Sequence, residues 1–254
     1  MLVVSRALFL TLLLSIGLAA SAVAQSESNV ATVDVIVPVV GTLRGYGGVE
    51  WHTDVVLRND VPVPIEVVLT LVTAPGEPFF FTTLAPGETV ALTDVASATF
   101  GMRGVLSPLL VQTLGPRSVT IGCRVYGVRD GKTTEPQTIV PIASTLRRSQ
   151  SLSGLAFDAR RRTNIGVANL GEQPVIFTFA VQRIAGRNLA TAAFVMPPRS
   201  MMQAPIEMFF PLLKQAGQLS VLVDLPTPST YVYASVVDNE SHDALFVPPR
   251  AGRF

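Results

Sequence analysis

Two histidines, His52 and His242, and one thiol, Cys123, stand among 254 residues, which limits most acid–base and zinc schemes and ties thiol chemistry to one position. His52 lies beside Asp54, and a histidine oriented by an aspartate is the base of a serine-type triad. Neighbours on a strand do not present that geometry to each other, and the corresponding stretch later in the chain has Arg162 and Asn164 instead. His52 is therefore expected at the surface, without a catalytic role. The densest polar grouping is Asp238-Asn-Glu-Ser-His-Asp243, where carboxylates, an amide and an imidazole fall together. Oxygen-rich turns hold calcium, and a histidine recruits zinc. The EF-hand spacing is missing and the matching earlier turn is Arg129-Asp-Gly-Lys132, so a tight polar hairpin turn is expected, with no metal and no cofactor. Cys123 shares a strand face with Val119, Ile121 and Val125, which predicts a buried, inert thiol. Gly41, Gly45, Gly47 and Gly48 are followed by the strand of Trp51 and not by a helix, so they are a loop between sheets and not a phosphate cradle.

Recognition surfaces are more promising than catalytic ones. Arg160, Arg161 and Arg162, with Arg147 and Arg148, make a basic cluster. A nucleic-acid site would need interleaved aromatics, and export argues further against that partner, which leaves an acidic surface glycan or protein as the ligand or a plain solvated surface. Among the aromatics, Trp51 shares parity with Val55 and Leu57 and belongs at the edge of a core. In Phe79-Phe80-Phe81 the side chains must alternate between faces, and Phe80 is expected to be the exposed ring or to meet the other domain. Phe80 and Tyr46 could begin an aromatic platform for sugars. The candidate interface is Phe80, Tyr46, Arg160, Arg161 and Arg162.

The elements that position these residues repeat. Ile36-Val-Pro-Val-Val-Gly-Thr-Leu-Arg44 returns as Ile139-Val-Pro-Ile-Ala-Ser-Thr-Leu-Arg147, and Trp51 to Asn59 realigns on Arg161 to Asn169, with Thr53 over Thr163 and Asn59 over Asn169. In Ile65-Glu-Val-Val-Leu-Thr-Leu71 and Val175-Ile-Phe-Thr-Phe-Ala-Val181 the odd positions are apolar, and a slip of one residue would turn either core set outward. Short alternating strands between Pro- and Gly-rich turns, with one short helical segment per copy near Thr93 to Phe100 and Pro205 to Gln215, predict two tandem antiparallel β-sandwiches. Phe246-Val-Pro248 is a third occurrence of the opening element and is expected to close the preceding unit or to pair with another molecule.

At the N-terminus, Arg6 precedes an apolar run from Ala7 to Ala20 and then Ala22-Val-Ala24. The run is shorter than the ~20 residues a span needs, and it ends on a small-x-small cleavage site. The expected organisation is a signal peptide over 1–24 and sandwich repeats over 25–143 and 144–254. With the leader removed, basic and acidic residues balance at 18 each, the first copy being acidic and the second basic. Global charge then draws the chain to neither nucleic acid nor anionic lipid, while head-to-tail self-association is compatible with the asymmetry.

The pattern Thr-Asp/Asn followed by Asn, an alternating strand and Leu84-Ala-Pro-Gly-Glu88 resembles the immunoglobulin-like modules of bacterial surface and adhesion-related proteins. Tyr233 to Asn239 with Phe246-Val-Pro248 resembles a family of exported bacterial tandem-repeat proteins of unknown function. The resemblance implies an immunoglobulin-like fold and export. Together with the residues above, it gives an expected function: a secreted or periplasmic, non-catalytic binding or structural module of the cell envelope or extracellular space. A carbohydrate-binding module and a periplasmic chaperone-like protein are the alternatives. Mass spectrometry of the exported protein should find an N-terminus at Gln25, the residue after the Ala24 cleavage site.

Overall fold

β-Branched and aromatic side chains at alternating positions fit a pleated, half-buried surface, and they make strands of most of the described residues. The computed structural model describes residues 32–73, 76–114, 119–143, 149–183, 188–214, 217–225 and 227–251. The leader over 1–24 and the arginines 147 and 148 lie outside the described residues. The first copy consists of β1 (Thr32–Arg44), β2 (Glu50–Arg58), β3 (Ile65–Leu71), β4 (Phe79–Leu84), β5 (Thr89–Leu92), a helical turn α1 (Val95–Ala98), β6 (Val105–Thr113), β7 (Thr120–Arg129), β8 (Lys132–Thr133), β9 (Gln137–Thr138) and β10 (Ile142–Ala143). The second consists of β11 (Ser149–Phe157), β12 (Arg161–Asn169), β13 (Val175–Arg183), β14 (Asn188–Met196), β15 (Ser200–Pro205), the turn α2 (Ile206–Phe209), β16 (Gly217–Asp224), β17 (Thr230–Asp238), β18 (Ala244–Val247) and β19 (Arg250–Ala251).

Each copy has two antiparallel sheets, so the protein is all-β and sandwich-like. In the first copy one sheet runs β4-β3-β6-β1-β10 and the other β5-β2-β7-β9, with the end of β1 crossing to β2. In the second the sheets are β14-β13-β16-β11-β19 and β15-β12-β17-β18. The first strand thus lies along the sixth and the second along the seventh. An immunoglobulin constant domain instead groups its first strand with its second, and its sixth with its seventh.

The second Ile-Val-Pro segment closes the first copy, its strand β10 pairing with β1, Val35 opposite Ala143 and Ile36 opposite Ile142. The second copy opens with β11. Phe246-Val-Pro likewise stays inside its own copy, since β18 pairs with β17 and β19 with β11.

The repeated polar residues are structural. Thr53 Oγ1 accepts from the Gly41 amide at 3.0 Å and donates to its carbonyl at 3.2 Å, and Thr163 does the same for Ala156 at 3.2 and 2.7 Å. Buried Asn59 accepts from the Val61 amide and donates to the carbonyls of Val63 and Leu84; Asn169 accepts from Gly171 and donates to Gln173 and Pro197. Each closes a turn while satisfying backbone groups that burial would otherwise orphan.

The alternating faces of β3 and β13 are buried at Ile65, Val67, Leu69, Leu71, Val175, Phe177, Phe179 and Val181, as the sequence pattern requires. The sheet of β17 differs because both of its faces are covered. Val232, Ala234 and Val236 enter the second core, while Tyr231 and Tyr233, joined by Ala168 and Phe246, enter the first. Gly166 permits this packing, since a Cβ there would sit 2.1 Å from the Tyr233 ring. Polar contacts tie the joint: Tyr231 Oη donates to the Pro38 carbonyl at 2.6 Å, Arg199 Nε to Glu77 at 2.6 Å, and the Glu135 amide to Asp243 at 3.0 Å. Expressed alone, residues 25–143 should melt without a cooperative transition, because their core lacks Tyr231, Tyr233 and Phe246, whereas the intact chain should unfold in one transition; calorimetry distinguishes the two.

Candidate functional site

Where the second copy's sheet meets the first sandwich, the fit leaves a cleft of about 800 Å³, within the range of small-molecule sites. Both sheets of the first copy contribute a wall, through Val39 and Leu106 on one side and Trp51, Thr53, Val125 and Ile139 on the other. The opposing wall comes from the second copy, through Asn164, Gln203, Tyr233, Ser235 and Val237 with Phe246. The walls grade from buried and mainly apolar, at Val39, Val125, Ile139, Tyr233 and Phe246, to an exposed polar mouth at Tyr46 and Glu207.

A turn of 3-10 helix, Tyr46–Gly48, presents Tyr46 at the mouth with its side chain 76% exposed. Gly45 lets this turn lie against Trp51, since a Cβ there would come within 2.4 Å of the indole nitrogen. The Arg162 guanidinium lies 5.4 Å from the centre of the Tyr46 ring, a cation–π contact, and its Nη1 donates to Asn239 Oδ1 at 2.7 Å. Partial burial holds Arg162 below the usual arginine pKa. Tyr233 Oη donates to Gln203 Oε1 at 2.6 Å, while Gln137 Oε1 is buried with no hydrogen-bond partner among the described residues.

The structure divides the other expected interface residues. Arg161 and Arg162 follow each other on β12 and point to opposite faces, while Arg160 precedes the strand, so the arginine run splits. Arg162 reaches the cleft, Arg161 pairs with Asp158 at 2.7 Å, and Arg160 pairs with Asp238 at 2.8 Å. Phe80 corrects the expected parity: it packs against the first core, while Phe79 and Phe81 face outward at 73% and 49% exposure. Trp51 sits at the edge of the core and also lines the cleft. Gln137, Gln203 and Ser235 escape the sequence reading, because only the meeting of two copies assembles them and a short polar interruption of an apolar strand is their sole signal, while Asn239 comes from the polar turn and serves the cleft instead of a metal.

His52 also departs from expectation. Its side chain is 17% exposed, its Nδ1 is 3.2 Å from Asp94 Oδ2, and its ring stacks on Tyr126. The turn before α1 folds over this face and covers it. Asp54 is engaged elsewhere, accepting from the Asp94 amide at 2.9 Å and from Arg124 at 2.9 and 2.8 Å. Of the hydroxyls in this cluster, Thr42 donates to Asp94 and Tyr126 to Asp54 at 3.4 Å, neither to His52, so the constellation lacks the order of a nucleophile, base and acid. Burial pushes the Tyr126 phenol up, helped by the charges of Asp54 and Asp94, and drives the buried Cys123 thiol up to about 12.

In the Asp238 to Asp243 turn the polar groups hold the hairpin. Asp238 accepts from the amides of Glu240 and Ser241 at 2.9 and 3.1 Å, and His242 turns inward, its Nε2 2.8 Å from Arg129 Nη1. Among the described residues no three histidine, cysteine or carboxylate side chains gather as a metal site, and no helix is long and apolar enough to cross a membrane.

Fold and site together define a sandwich-like all-β protein whose two copies enclose a ligand-sized cleft. No protein-family model, curated protein or solved structure matches the chain.

The Arg160 ion pair, first, and the two amide bonds hold the Asp238 carboxyl at about 2 against an ordinary 3.8. A depressed folded value stabilises the fold above the unfolded pKa and loses that contribution as pH falls from about 4 to about 2. Asp238→Asn should therefore lower the melting temperature at pH 7, with the difference from the parent vanishing by about pH 2, followed by thermal melts across that window.

Proposed function

We propose that this chain is an exported, non-catalytic binding protein of the bacterial cell envelope or extracellular space, and that its ligand occupies the cleft between the copies. The cleft itself carries the reading: it is of small-molecule size, lies between two packed units and grades from apolar depth to polar mouth, which is the usual build of a binding pocket. The leader-like N-terminus supports export, and the structural engagement of Asp54, Asp94 and Asp238 favours binding over turnover. A row of sugar-stacking rings has less support, because the Tyr46 ring already carries Arg162.

The dye 1-anilinonaphthalene-8-sulfonate should bind saturably, one per chain, and quench Trp51, the single tryptophan, by energy transfer. Ser235→Phe, which fills the cleft from its buried wall, should abolish the signal while the melting temperature stays within a few degrees. Absence of saturable binding, or full binding by the folded Ser235→Phe variant, overturns the reading.

A further inference from the structure

Resting on the cleft as the ligand site, the observations also constrain what enters it. Arg162 is half-buried at the mouth, and its one hydrogen bond among the described residues goes to the neutral Asn239. A guanidinium has five N–H donors in a planar fork that matches a carboxylate. Withdrawing it partly from water without a paired carboxylate carries a cost that an anionic ligand would offset. At the same rim Asp158 pairs with Arg161, and exposed Glu207 stands at the mouth, so a singly charged head fits better than a phosphate-like dianion.

The depth of the cleft points to the rest of the molecule. Val39, Val125, Ile139 and Phe246 give it apolar walls, and the buried hydroxyls beside them are already engaged, Thr53 with Gly41 and Tyr233 with Gln203, so a sugar chain would lose more hydration there than it regains. A wholly apolar ligand would leave the guanidinium uncompensated. We infer that the cleft takes a single-tailed amphiphile with a carboxylate head, its tail against the buried apolar walls and its head on Arg162.

The test follows Trp51 emission during titration with decanoate, decanol and acetate, all below micellar concentrations. Decanoate should bind about tenfold or more tightly than decanol, in keeping with a charge-assisted hydrogen bond. Acetate, lacking the tail, should bind far more weakly than either. Arg162→Gln should bring decanoate to the level of decanol, and Arg162→Lys should restore part of the difference. Equal binding of decanoate and decanol by the parent protein overturns the carboxylate assignment while leaving the cleft as a site, and needs no variant to fold. Dye binding without decanoate binding also overturns it and spares the broader reading; failure of both dye and decanoate removes both.

Discussion

The structure depends on one sheet being buried on both faces. β17 sends Val232, Ala234 and Val236 into one core and Tyr231 and Tyr233 into the other, so the second copy supplies part of the interior of the first. Such a sheet leaves little room for the copies to rotate against each other, because turning them would expose two tyrosine rings and a phenylalanine at once. The hydroxyl of Tyr231 fixes the register, reaching the carbonyl of Pro38 in the opening strand of the other copy. Arg199 with Glu77, and Arg129 with His242, hold the margins of the same joint.

The cleft is a consequence of this arrangement. Two convex surfaces of side chains pack closely only where their shapes match, and here the fit is made by Tyr231, Tyr233 and Phe246 and relaxed toward Tyr46 and Arg162. Rigidity on one side and openness on the other give a pocket whose walls belong to both copies. A ligand there would bridge them without requiring a hinge, which is the economical route to a preorganised site.

Much of the reactive chemistry in the sequence resolves into backbone satisfaction. Thr53 and Thr163 clasp the opening strand of each copy, and Asn59 and Asn169 each close a turn from within. Asp54, whose place beside His52 suggests a catalytic order, instead accepts from the Asp94 amide and ties β2 to the turn before α1, while His52 pairs with Asp94. Buried polar groups need partners, and a sandwich whose sheets are linked by tight turns provides many such places.

Alternation alone determined that the protein is all-β, which face of β3 and β13 is buried, where the short helical turns fall, and that Cys123 is buried, because a two-residue period and turn residues are local properties of the chain. Repetition of Thr53 and Asn59 at Thr163 and Asn169 likewise marked equivalent positions. What the sequence could not decide was which strands pair and which outer face meets the other copy. Ile139 is bonded through its amide to Cys123, while Val247 lies opposite Ala234, the equivalent of Cys123; a shift of one residue from the apparent repeat therefore turns Phe246 toward the other copy. Phe80 was misplaced for the same reason, since three consecutive phenylalanines carry no parity of their own until β3 pairs with β4. The cleft lay furthest from view, because its residues come from strands far apart in sequence and are brought together only by the packing of two sandwiches, which no local pattern encodes.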